Sequence, residues 1–175
     1  GFAIDVYGDG QQGDSPEENA ALMMPYVNDR KKLLGRLKAA HKAVKNLEQV
    51  DADNIAIVGY CFGGLCALDL ARSSADIKAA ISFHGLFNPN GLPAKKIKAS
   101  VLALHGWDDP MVSPELVTAL GAELTEAQCD WQIHAYGGTK HAFMVPEAND
   151  PDNGVQYNPT AEKRAWAAAT DLLSD

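Results

Sequence analysis

Asn54-Ile55-Ala56-Ile57-Val58-Gly59-Tyr60-Cys61-Phe62-Gly63-Gly64 is the stretch on which the reading of this 175-residue chain turns. The run from Asn54 to Val58 is compact, apolar and rich in β-branched residues, the pattern of a strand buried on both faces. After the glycines, Leu65-Cys66-Ala67-Leu68-Asp69-Leu70-Ala71 returns to helical composition. A strand that turns through glycine directly into a helix lifts the middle side chain, Cys61, clear of the sheet. The N–H of the following residue, Phe62, then points towards any carbonyl that Cys61 attacks and forms half of an oxyanion hole. The helix N-terminus beneath the sulfur favours thiolate over thiol. The plainer alternative is a glycine-rich turn that merely contains a buried cysteine.

On either side of this stretch the same alternation of strand and helix recurs. Strands are expected at Phe2 to Val6, Ala79 to Phe83, Val101 to Leu104 and Trp131 to Tyr136. Ser15-Pro16-Glu17-Glu18 carries an N-cap, an N1 proline and first-turn acids, so a short helix begins there and stops before Pro25. Between Asp29 and Leu47, Leu33, Leu34, Leu37, Ala40, Val44 and Leu47 recur at three- and four-residue steps, the mark of a longer amphipathic helix. Further helices are expected near Pro114 to Ala127 and Thr160 to Leu173, and surface loops at Phe87 to Lys96 and Pro146 to Asn158. Strands alternating with helices predict an α/β fold with a mostly parallel sheet flanked by helices, here as one domain over residues 1–175.

Composition narrows the function. An apolar content of 46% is ordinary for a globular chain, and the net charge of -8 opposes attraction to nucleic acid or to anionic lipid. No run reaches the roughly 20 apolar residues that span a bilayer, and no basic leader precedes the first apolar stretch. Cys61, Cys66 and Cys129 are an odd set, which suits reduced thiols and a cytoplasmic location. The histidines and acids show neither H-E-x-x-H nor C-x-x-C spacing, and the glycines match no nucleotide-binding loop, so neither a metal nor another cofactor is expected.

In a parallel sheet, ligands gather at the carboxyl ends of the strands, so the residues that follow each strand carry the chemistry. After Leu104 come His105-Gly106-Trp107-Asp108-Asp109-Pro110, and after the next strand Tyr136-Gly137-Gly138-Thr139-Lys140-His141. Adjacent acids in a loop can be a solvated turn, and a loop histidine can be incidental. Nucleophile, acid and histidine in this chain order nevertheless form the pattern of the α/β-hydrolases.

Taken with Gly137-Gly138-x-x-His141-x-Phe143 and Asp5-Val6-Tyr7-Gly8, these segments resemble the dienelactone hydrolase family, a cysteine-nucleophile branch of that fold. The resemblance implies Cys61 as nucleophile, His141 as base and acid, and Asp109, rather than Asp108, as the residue that orients the histidine. It implies hydrolysis of a small-molecule ester or lactone through a thioester acyl-enzyme. Tyr7, Trp107 and Phe143 are the pocket candidates, and ordinary half-buried aromatic packing is the equal alternative for each. Family members acting on dienelactones hold the substrate carboxylate with arginines, yet Tyr7-Gly8-Asp9-Gly10 and His141-Ala142-Phe143-Met144-Val145 contain none. A neutral or differently anchored ester is therefore expected. The family fold also places three strands before the one at Phe2, and the loop after the third supplies the second oxyanion donor. The chain accordingly reads as the C-terminal portion of that fold, its first strands absent. A redox-reactive thiol and a non-catalytic hydrolase scaffold are the alternative functions.

Overall fold

The computed structural model describes residues 1–174, which form two compact units: residues 1–52 with 90–93, and residues 53–89 with those from 94 onward.

The first unit is helical. Ser15 caps α1 (Pro16–Val27) by accepting the Glu18 N–H at 3.2 Å, as the sequence predicts. The helix does not stop before Pro25, which lies inside its last turn, where the Asn28 N–H still bonds the Met24 carbonyl. A missing donor so near the end forfeits one bond and leaves the rest of the turn intact. Asp29 caps α2 (Arg30–Lys45), which buries Leu33 and Leu37 one turn apart while Leu47 stays exposed. Phe2 to Val6 forms no strand, contrary to the apolar pattern. A strand exists only as a member of a ladder, and among the described residues nothing pairs with this segment.

The second unit is built on a four-stranded parallel sheet in the order β1-β2-β3-β4, comprising β1 (Ala56–Tyr60), β2 (Ala79–Phe83), β3 (Ser100–Gly106) and β4 (Trp131–Tyr136). In-register pairs such as Tyr60 with Phe83 and Phe83 with Leu104 bring the strand ends to one rim. The alternating residues Ile81, Phe83, Leu102 and Leu104 share one face. They form a core cluster with Phe143 and with Ala161, Ala165 and Ala169 of α5 (Pro159–Leu172). Alanines at four-residue steps let that helix lie close to the sheet, and each large apolar side chain buried there contributes roughly 1.5–3 kcal/mol. Against β1 and β2 lies α3 (Phe62–Arg72), and against β4 lies α4 (Pro114–Glu126).

β1 departs from the expectation of a strand buried on both faces. It is one of the two edge strands of the described sheet, and Val58 is 41% exposed. The segment expected as a surface loop at 146–158 holds a small antiparallel hairpin, β5 (Asn149–Asp150) and β6 (Val155–Gln156), joined by the short 3-10 helix Pro151–Asn153. Among the described residues, no helix is long and apolar enough to cross a membrane.

Candidate active site

Cys61 stands where β1 gives way to α3, with φ 51° and ψ -117°. A non-glycine residue in that region is strained by about 1–3 kcal/mol and persists only where its surroundings fix it. Here the Cys61 N–H donates to the Phe83 carbonyl at 3.1 Å, and the Cys61 carbonyl accepts the Gly64 and Leu65 N–H groups at 3.0 and 3.3 Å. Close packing explains the glycines. A Cβ on Gly59 would fall 1.9 Å from the Gly63 carbonyl oxygen, and one on Gly64 would meet Ser82 Oγ at 2.5 Å and Gly85 Cα at 2.8 Å. Gly63 has open space where its Cβ would be. The side chain so presented is a partly exposed free thiol at the N-terminus of α3, just ahead of Phe62.

The acid and the histidine come from the loops after β3 and β4. Gly106 lets these loops touch, since a Cβ there would lie 2.5 Å from the Thr139 carbonyl oxygen. Two backbone bonds lock the approach: Trp107 N–H to the Tyr136 carbonyl and Asp108 N–H to the Thr139 carbonyl, both 2.9 Å. Across this junction His141 Nδ1 donates to Asp109 Oδ2 at 2.7 Å, with both side chains buried. The other oxygen, Asp109 Oδ1, accepts the Met111 N–H at 2.8 Å, which fixes the carboxylate plane. Asp108 points its residue surface to solvent.

His141 also lies within hydrogen-bonding reach of Cys61. Burial alone lowers an imidazole pKa, but the bonds to Asp109 and Cys61 and the negative charge of both outweigh it, and the His141 pKa is raised to about 9. Bonding through Nδ1 leaves Nε2 as the nitrogen for chemistry.

Of the pocket candidates, Trp107 is 45% exposed beside this junction. Phe143 has no exposed surface, and its ring packs edge-on to Tyr136 and His84 at 5.6 and 5.5 Å within the core cluster of the sheet. Tyr7 belongs to the first unit, where its ring lies 5.9 Å from that of Tyr26 and its carbonyl accepts from Arg36 at 2.7 Å.

His84 sits on the rim after β2 with φ 37°. Its ring meets that of His141 edge-on at 5.1 Å. Burial, and then the neighbouring His141 charge, lower its pKa to about 4, so it is neutral where His141 is cationic. His105 is likewise buried with a lowered pKa, chiefly from desolvation. Among the described residues no hydrogen-bond partner reaches the ring nitrogens of either. Position after a strand was the signal available for His84, but its contact with His141 arises only where the chain converges. Among the described residues, no cluster of three or more His, Cys, Asp or Glu side chains is arranged to hold a metal ion.

Comparison with known proteins identifies the family and the fold. A Caenorhabditis elegans protein, K02A2.1, is 38% identical over 148 residues, covering 82% of this chain and 94% of its own. The mouse carboxymethylenebutenolidase homolog is 27% identical over 105 residues, covering 59% of this chain and 42% of its own. Among solved structures, the dienelactone hydrolase-like promiscuous phosphotriesterase P91 from metagenomic libraries is 36% identical with a TM-score of 0.90, covering 98% of this chain and 72% of that one. The model of the dienelactone hydrolase family matches residues 1–175. With the parallel sheet and its rim of cysteine, acid and histidine already described, the match makes the chain a hydrolase that belongs to the dienelactone hydrolase family.

Proposed function

We propose that this hydrolase cleaves small ester or lactone substrates through Cys61, His141 and Asp109. The observation that carries the reading is the buried 2.7 Å bond between Asp109 and His141, with Cys61 in reach of the same imidazole. Cys61 thiolate adds to the substrate carbonyl, and the oxyanion that forms is stabilised by the Phe62 N–H at the start of α3. The tetrahedral intermediate collapses, the C–O bond breaks, and the leaving alkoxide takes the proton from His141. The product is a thioester on Cys61 and a neutral imidazole. His141 then takes a proton from water, hydroxide adds to the thioester carbonyl, and Cys61 departs as thiolate with the acid product released.

The electrostatics favour this switch of roles. Part of what raises the His141 pKa is the bond to Cys61 and the charge of its sulfur. Acylation removes that charge, so the His141 pKa falls once the thioester forms and the imidazole becomes available as a base. Asp109 remains bonded throughout and holds the tautomer.

A neutral phosphotriester is a second substrate class, favoured by the 36% identity and 0.90 TM-score to a promiscuous phosphotriesterase. The absence of arginine from Tyr7 to Gly10 and from His141 to Val145 also suits uncharged substrates.

Steady-state turnover of a nitrophenyl acetate and of a neutral nitrophenyl phosphotriester tests both. Cys61→Ala and His141→Ala are each expected to lose activity by about 10³-fold or more. Wild-type rates in Cys61→Ala overturn the nucleophile assignment. Sulfenate formation with peroxide and no ester turnover in the wild type would instead assign Cys61 to redox chemistry.

A further inference from the structure

We propose that the β5–β6 hairpin is a brace for the catalytic pair, and that Gly154 is its positioning residue, in contact with both the His141 backbone and the proline beside Asp109. This rests on the triad reading above.

Gly154 ends the short helix inside the hairpin with φ 77°, a conformation that favours glycine. Its carbonyl accepts the His141 N–H at 2.9 Å. From the adjoining strand, the Gln156 N–H donates to the His141 carbonyl at 3.0 Å, so the hairpin holds both backbone groups of this one residue. On its other side Gly154 lies against Pro110, where an added Cβ would come 2.3 Å from Cγ and 2.5 Å from Cδ. One residue thus abuts the chain on both sides of the Asp109–His141 bond.

The hairpin is itself anchored to the histidine loop. Lys140 Nζ donates to the Pro151 carbonyl within the hairpin, and just past its end Asn158, the N-cap of α5, donates from Nδ2 to Thr139 Oγ1 at 3.1 Å and from its N–H to the Phe143 carbonyl at 3.2 Å. Within the hairpin, Asn153 Nδ2 donates to Asp150 Oδ2 at 2.9 Å. Left alone, the segment from Gly137 to Val145 would have to hold a 2.7 Å bond with the backbone of a glycine-rich loop. Displacement by about 1 Å is enough to lose such a bond and about 10²-fold in rate.

The test is a double-mutant cycle. Gly154→Ala drives the new methyl into Pro110 and is expected to lower kcat by about 100-fold while KM changes by less than about threefold. Adding Pro110→Ala removes Cγ and Cδ and leaves only Cβ, at 3.6 Å, so kcat is expected to recover at least about tenfold relative to the Gly154 variant. The second readout needs no turnover. In an NMR titration of the five histidines, the His141 pKa is expected to fall from about 9 towards the ordinary imidazole range in Gly154→Ala and to rise again in the double variant. Gln156→Pro, which deletes the other bond to His141 without crowding Pro110, should shift both readouts in the same direction as Gly154→Ala and keeps the test open if that variant fails to fold.

An unchanged kcat and His141 titration in a folded Gly154→Ala protein overturns the proposal, as does a loss that Pro110→Ala leaves untouched. Failure of the triad reading is separate, because it shows as Cys61→Ala activity and leaves the NMR comparison intact.

Discussion

At Cys61, His84 and Ala142 the backbone enters the left-handed region, with φ of 51°, 37° and 57°, and the three positions surround one imidazole. Strain gathered this way marks a site over-determined by its neighbours. His141 and His84 carry opposite consequences for pH. The folded pKa of His84, about 4, lies below its unfolded value of 6.5, so its contribution to stability is complete above pH 6.5 and is lost as pH falls towards 4. The loss amounts to roughly 3 kcal/mol across that interval. Denaturant melts from pH 7 to 4 should therefore show a shallower acid decline for His84→Asn than for the wild type, and parallel declines would deny the lowered pKa. For the acids, Asp109→Asn replaces the carboxylate that accepts from His141 Nδ1 with a neutral amide, which no longer fixes the tautomer, and is expected to cost about 10³–10⁴-fold in kcat. Asp108→Asn, on an exposed side chain, should stay within about threefold of the wild type in the same assay. The raised His141 pKa is also tied to Cys61. Cys61→Ala should lower it in an NMR titration, as acylation does in the proposed cycle.

At the scale of elements, the crossing of β1 and α3 is decided by absent side chains. Gly59→Ala places a Cβ 1.9 Å from a backbone oxygen that cannot move without shifting α3, and Gly64→Ala meets the backbone of Gly85. Both should destabilise the fold by several kcal/mol and abolish activity, at about the level of severe overpacking. Gly63→Ala meets nothing and lies within α3, so calorimetry should show no loss and a gain of up to about 1 kcal/mol from helix propensity. α3 is tied to α4 by Arg72, whose guanidinium bonds both oxygens of Glu123 at 2.7 Å and Asp69 at 3.2 Å. The Phe87 and Asn88 carbonyls accept its remaining donors, which ties down the start of the loop after β2. Glu123→Ala leaves a buried cation with one partner fewer, and about 2 kcal/mol of stability should be lost in urea titrations.

At the scale of the whole molecule, the parallel sheet was legible because its inner strands are continuous apolar runs that end in glycine or histidine. β2 and β4 fall at the residues their patterns predict, Ala79 to Phe83 and Trp131 to Tyr136. Phe2 to Val6 carries the same apolar signal without becoming a strand, because pairing is a property of two segments and a pattern belongs to one. The strands of the 149–156 hairpin are too short, at two residues each, for any period to show, so what holds His141 in place was invisible in a stretch of prolines, asparagines and glycine. Chain order pointed to a nucleophile, an acid and a histidine, and the family resemblance singled out Asp109 over Asp108; in the structure Asp109 is the acid bonded to His141. His84 and Phe143 took their places only through three-dimensional packing around that rim. The most direct test of the central claim is acid-quenched mass spectrometry of the protein mixed with nitrophenyl acetate and sampled before steady state. An acetyl group is expected on Cys61 that appears in the burst, decays with turnover and is absent from Cys61→Ala. Ester turnover with no adduct on Cys61 at any time would contradict the claim.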